Sequence, residues 1–300
     1  MSEQAPPRVS SVLPQKGFDF VEGHPSEPGE GVSVAELLGP GDGAQHLAIA
    51  LVRLEPGASV VGHLHPFQES FFVLSGQPQV TIADKQYALV PQDFGLVPTA
   101  QGHAWANPGR EPATLLRVYA PQPRPIGRRG RWGVFAAPTT PVPSKGRPVR
   151  ELDPTQTGVG HFDQTDMAPP GSISMPGYHG GNVQDVQIRM MVDELSGSVQ
   201  HTMFIVQFTP TGRPGGAAKE HFHPFEEIYY LLSGSAQTSF DGEHSEVVAG
   251  DLVFAPVGAS HGFTPTGTEP VCWIEVQSPL PPSAHGFTFH NDWDDLEILG

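Results

Sequence analysis

Apolar residues along the chain come in short runs separated by glycine, proline and small polar residues. In the first half the runs are HLAIALVRL, SFFVLSG, QVTIA, FGLVP and ATLLRVYA, and in the second HTMFIVQF, IYYLLSG, AQTSF, DLVFAP and VCWIEVQ. β-Branched and aromatic side chains dominate them, and none keeps a helical apolar stripe beyond about three turns. Regularly spaced strands of this length with Gly and Pro between them predict an antiparallel sandwich or barrel with little helix. The helix candidates are short, such as VAELLG from Val34.

The pattern repeats. HLHPFQESFFVLSG (63–76) aligns without a gap on HFHPFEEIYYLLSG (221–234), an offset of 158 (221 − 63). The same offset links Pro98 to Pro256 and His103 to His261, so the chain holds a duplicated domain. We place an N-terminal domain at 1–130, a Pro/Arg-rich linker at 131–150 and a C-terminal domain at 151–300. Residues 121–150 carry no acidic residue but Arg124, Arg128, Arg129, Arg131, Lys145, Arg147 and Arg150, as expected of a linker against acidic domains. Residues 167–182 read as irregular, either a connection or a cover over a pocket.

Composition narrows the function classes. A formal charge of −16 argues against nucleic acid or an anionic membrane as partner. No apolar run approaches the ~18 residues of a membrane span, and the start shows no secretory pattern. A single cysteine, Cys272, excludes an internal disulfide and fits a reducing, cytoplasmic setting.

The chemistry lies at the strand mouths. His63 and His65, two apart, project from one face of a strand, and Glu69 follows a turn at Pro66. His103 comes from a distant strand; the matching set is His221, His223, Glu227 and His261. Three imidazoles and a carboxylate suit Fe, Mn, Ni, Cu or Zn with open positions, up to two ions per chain. Of the tandem glutamates, spacing selects Glu227, leaving Glu226 facing outward or supporting the ligands. Alternation places Phe71, Trp105, Tyr229 and Phe263 beside the ligands as pocket-lining aromatics, with Arg53 and Gln207 as nearby polar candidates. The remaining eight histidines lack partners at ligand spacing.

Gly57-x5-His63-x-His65-x3-Glu69-x6-Gly76 and Gly215-x5-His221-x-His223-x3-Glu227-x6-Gly234 both resemble the first motif of the cupin superfamily. Gly250-x5-Pro256-x-Gly258-x2-His261 resembles its second motif, matched more loosely by Asp93, Pro98, His103 and Asn107. There Gln92 and Ala100 stand where glycine is usual, and Pro265 replaces the closing asparagine. The resemblance implies an all-β chain of two tandem double-stranded β-helix (jelly-roll) barrels. It further implies a metal-dependent dioxygenase similar to the quercetinase-like bicupins, taking dioxygen and a small aromatic or enolic substrate. The alternatives are a non-oxidative metal-dependent decarboxylase or isomerase, and a non-catalytic metal- or small-molecule-binding protein. A homo-oligomer is compatible with each.

Overall fold

The computed structural model describes residues 11–39, 41–123, 134–137, 152–169, 183, 186–208, 218–240, 242–281 and 287–289. Its regular structure is almost wholly antiparallel strand. By packing, the chain forms two compact units. The N-terminal unit comprises Phe18–Gln164 and Met191–Thr202; the C-terminal unit comprises Met1–Gly17, Thr165–Met190 and Met203–Gly300. These units interleave in sequence because short flanking strands complete sheet edges: Val159–His161 pairs with Asp93–Val97, and Ser11–Leu13 with Leu252–Ala255. Of the stretch 131–150, the described part includes Phe135–Ala136, which pairs with Leu64 and His63. Of 167–182, only 167–169 are described.

In the N-terminal unit the 17-residue strand Ala48–Leu64 organises the sheet. Its first part pairs with Ala113–Ala120 and Gly29–Leu38, and its last part with His103–Ala106, shifting register on the way. A bulged strand bends, which lets one strand serve two faces of a barrel. The expected VAELLG helix is instead part of Gly29–Leu38, with Val34 opposite Val52 and Ala35 opposite Leu51. So few residues cannot stabilise a helix alone, whereas Val32 and Val34 bury fully on the sheet. The α-helix among the described residues is the single turn Pro154–Thr157, capped by Asp153.

The C-terminal unit curls a 6-stranded sheet and a 5-stranded sheet, as counted among the described residues. Its core packs Phe204, Phe208, Tyr229, Phe263 and Trp273; the N-terminal core packs Val52, Phe71, Trp105, Leu115 and Tyr119. Among the described residues no helix is long and apolar enough to cross a membrane.

Two turns carry the repeat into the backbone. Gly250 and Gly258 have φ of 92° and 77°, and at the same offset Gln92 and Ala100 have φ of 74° and 61°. The fold imposes the left-handed conformation whichever residue is present, and an L side chain there costs about 1–2 kcal/mol. Ala100 is exposed, so little packing offsets that cost. Ala100→Gly is therefore expected to stabilise the protein by about 0.5–1 kcal/mol, after allowing for glycine's greater freedom when unfolded. Gly258→Ala should do the reverse, with urea denaturation as the measurement; a destabilising Ala100→Gly would contradict this account of the turn.

Candidate metal centres

Strand register brings the sequence-distant histidines together. His63 lies directly opposite His103, and His221 directly opposite His261. The ring centroids are 4.2 Å apart in the first pair and 4.4 Å in the second. His65 and His223 project two residues on, and all six imidazoles are buried. Ligand-type atoms of His221, His223, Glu227 and His261 lie within 4.8 Å of one another, as do those of His63, His65 and His103.

The hydrogen bonds fix which nitrogen faces inward. Nδ1 lies 2.8 Å from the Val61 carbonyl in His63 and 3.1 Å from that of Gln101 in His103. In the second cluster Nδ1 of His221, His223 and His261 lies 2.7, 2.7 and 2.9 Å from the carbonyls of Lys219, Phe225 and Ala259. A carbonyl only accepts, so Nδ1 carries the proton and each Nε2 presents a lone pair to the cluster centre. His63 Nε2 and His103 Nε2 are buried and have no hydrogen-bond partner. His223 Nε2 instead faces the Glu227 carboxylate Oε2 at 2.6 Å, one acceptor against another. Buried lone pairs converging on one point are costly unless a cation sits among them. The donor sets therefore fit a divalent transition metal.

The carboxylates are held differently in the two clusters. Glu69 Oε2 lies 3.1 Å from His65 Nε2 and 3.6 Å from His103 Nε2, while Oε1 accepts from Arg117 at 2.5 Å. Glu227 Oε2 lies 2.6 Å from His223 and 3.3 Å from His261 and accepts from the Tyr229 hydroxyl, while Oε1 accepts from the Gln277 amide at 2.6 Å. Burial alone would raise both carboxyls; at Glu69 the Arg117 guanidinium outweighs it and leaves that carboxyl well below the usual range. Arg117 also donates to Glu27 at 3.0 Å, and of the two carboxyls on one guanidinium Glu27 is pushed up, chiefly by burial. Burial and then Glu227 push Glu275 well above the usual range.

Arg117, Glu27, Glu275 and Gln277 were not apparent from motif spacing. The available signal was alternation: Leu115, Arg117 and Tyr119 share one strand face, as do Trp273, Glu275 and Gln277. Arg53, expected near the site, is exposed and pairs with Glu55 at 2.9 Å, and Gln207 donates to Gln187. Glu226 is buried, not facing solvent. Tyr229 and Phe263 line a cavity of about 20 Å³ with His221, Glu227 and Glu275. Phe71 and Trp105 pack edge to face at 4.9 Å in the N-terminal core. Beside His63 a cavity of about 350 Å³ is lined by Pro25, Pro28, Val61, Gly62, Val134 and Ala136.

A family profile described as "Cupin domain" matches residues 50–119 and again 211–277. Over 71 residues the chain is 34% identical to the polyketide synthase CurC of Streptomyces cyaneus, covering 23% of this chain and 46% of that protein. Over 64 residues it is 36% identical to the gentisate 1,2-dioxygenase of a Ralstonia species, covering 21% and 18% respectively. The chain thus spans less than half the length of these curated relatives. In fold it resembles an oxalate decarboxylase of Lactobacillus farciminis solved as a formate complex, with a TM-score of 0.63, 17% identity and 96% and 90% of the two chains covered. The oxalate decarboxylase of Bacillus subtilis solved at pH 4.6 gives 0.59 at 18% identity, covering 97% of this chain and 81% of that one.

The buried imidazoles make acid stability a readout of the site. Burial, reinforced by neighbouring imidazoles, brings His63 and His221 down to about 3, and burial alone brings His201 to about 4. Unfolded imidazole titrates near ~6.5, so below that pH the unfolded chain of the metal-free protein takes up protons that the folded chain refuses. The stability contributed is complete above ~6.5 and is lost as pH falls toward the folded values. Metal-free protein should lose about 1 kcal/mol per such histidine between pH 7.5 and 5.5, read from urea midpoints. A midpoint flat over that interval would show that these rings are not held neutral.

Proposed function

The chain is a two-domain member of the cupin superfamily, and from that membership and the geometry of its sites we propose that it is a metal-dependent dioxygenase acting on a small aromatic or enolic compound at the N-terminal barrel. The observation that carries this reading is the placement of His63. It is at once a member of the three-imidazole cluster and part of the wall of the larger cavity. A volume of about 350 Å³ is at the lower end of small-molecule sites. The cavity beside the C-terminal cluster, about 20 Å³, has room for about one water.

In the N-terminal barrel His63, His65 and His103 would hold the ion as neutral nitrogen donors, with Glu69 supplying a carboxylate oxygen. When bound, a divalent ion supplies Lewis-acid polarisation of an enol or phenol oxygen and, if redox-active, a meeting point for dioxygen. Pro25, Pro28, Val61, Val134 and Ala136 form an apolar wall that would pack against a ring or acyl face. Both atoms of dioxygen enter the organic product, so no external reductant is consumed. The described wall is predominantly apolar, which suits an enolic or aromatic substrate. The gentisate 1,2-dioxygenase and polyketide synthase relatives agree with that substrate class. In the C-terminal barrel His221, His223, Glu227 and His261 would hold a second ion.

Elemental analysis of protein purified without chelator should find close to two metal equivalents, with His63→Ala and His221→Ala each removing one. An oxygen electrode with metal-loaded protein and a panel of flavonols, β-diketones and catechols should show uptake with at least one of them. His63→Ala should lower that uptake by about 100-fold or more, at least the upper end of what losing a group that merely supports a ligand costs. Val61→Trp, which fills the cavity, should lower kcat/KM at unchanged metal content. Absence of uptake across the panel, or uptake indifferent to His63→Ala, would sink the assignment.

A further inference from the structure

The duplication lets each barrel serve as a control for the other. At the 158-residue offset (275 − 117), Leu115, Arg117 and Tyr119 correspond to Trp273, Glu275 and Gln277. One strand position that carries a cation in the N-terminal barrel thus carries an acid in the C-terminal one. Arg117 is fully buried and donates through one nitrogen to Glu69 Oε1 at 2.5 Å and to Glu27 Oε1 at 3.0 Å. Its Cζ lies 4.1 Å from the centre of the Trp105 ring, and its Nε and second terminal nitrogen have no hydrogen-bond partner. A guanidinium is charged at any accessible pH, so this grip on Glu69 is permanent. The corresponding oxygen of Glu227 accepts from the neutral amide of Gln277, and Glu275 makes a further side-chain hydrogen bond to Glu227.

We infer that Arg117 makes the two metal sites unequal: it retains the outer oxygen of Glu69, restricts that residue to one ligand oxygen, and leaves the N-terminal centre the weaker and more open of the two. The inference rests on the metal-ligand reading of the two clusters. Both hydrogen bonds end on a carboxylate, but only Arg117 adds a full positive charge beside it in the buried interior, so Arg117 competes with a metal for Glu69 more effectively than Gln277 does for Glu227. The geometry agrees. Glu227 reaches its histidines at 2.6 and 3.3 Å and belongs to a cluster of four within 4.8 Å, whereas Glu69 stands at 3.1 and 3.6 Å and the matching cluster is three histidines. Arg117 is a positioning residue that acts through Glu69. It also ties the ligand to the substrate cavity, because its second acceptor, Glu27, lies between the wall residues Pro25 and Pro28.

The test uses the full chain stripped of metal and titrated with Mn(II), followed by calorimetry and by the electron paramagnetic resonance of the bound ion. His223→Ala isolates the N-terminal site and His65→Ala the C-terminal site. The N-terminal site should bind Mn(II) about tenfold or more weakly, the size of effect expected from groups that support metal ligands. In the His223→Ala background, Arg117→Gln should tighten binding by about fivefold or more and alter the Mn(II) fine structure, as Glu69 gains a second contact and a nearby cation disappears. Arg117→Lys, which keeps the charge, should stay within about threefold of its parent. Equal affinities in the two single-site variants, or unchanged or weaker binding in Arg117→Gln, would overturn the inference. Should Arg117→Gln fail to fold, the single-site comparison decides by itself. Absence of Mn(II) binding at both sites would instead overturn the metal reading beneath it.

Discussion

Opposing histidines across an antiparallel strand pair are the constraint on which both barrels depend. Pairing His63 with His103 and His221 with His261 brings the imidazoles of each pair together, tilted at 52°, in a buried interior. The backbone carbonyls behind them hold the proton on Nδ1, so the inward Nε2 of each of these four is a lone pair. Lone pairs meeting one another and a carboxylate in a buried interior are unfavourable until a cation joins them. Strand register, tautomer and the low basicity of His63 and His221 follow from one arrangement. A one-residue slip of any of these strands would turn the ligands outward and the solvent-facing side chains inward.

The two copies hold the same frame and have diverged at what surrounds it. Turns that are Gly250 and Gly258 in one copy are Gln92 and Ala100 in the other, yet the backbone stays left-handed at all four. The frame therefore dictates conformation more firmly than residue type does. Behind the ligands the residues differ in charge and not only in shape. Glu69 answers to a guanidinium that also holds Glu27, whereas Glu227 answers to an amide and a tyrosine. Cavity size diverges in parallel, about 350 Å³ beside His63 against about 20 Å³ beside His221. The duplicated histidine clusters thus differ without a change of imidazole, in the partner of one carboxylate oxygen and in the volume left open beside one ring.

Much of this was legible in the residues. Short β-branched runs with Gly and Pro between them specify an all-β fold, because alternation and turn chemistry are local properties. The gapless repeat specifies duplication, and the spacing of His63, His65 and Glu69 specifies which side chains can share a face. What lay beyond reach was everything set by strand pairing. VAELLG formed a strand because a neighbouring sheet edge was there to receive it. Short segments joined units that their place in the sequence did not indicate, for the same reason. Arg117 looks in sequence like an ordinary charge among Leu116 and Val118. Only the folded barrel, by burying it against Glu69, Glu27 and Trp105, makes it a determinant of the site, since the worth of a charge depends on its dielectric surroundings and its partners.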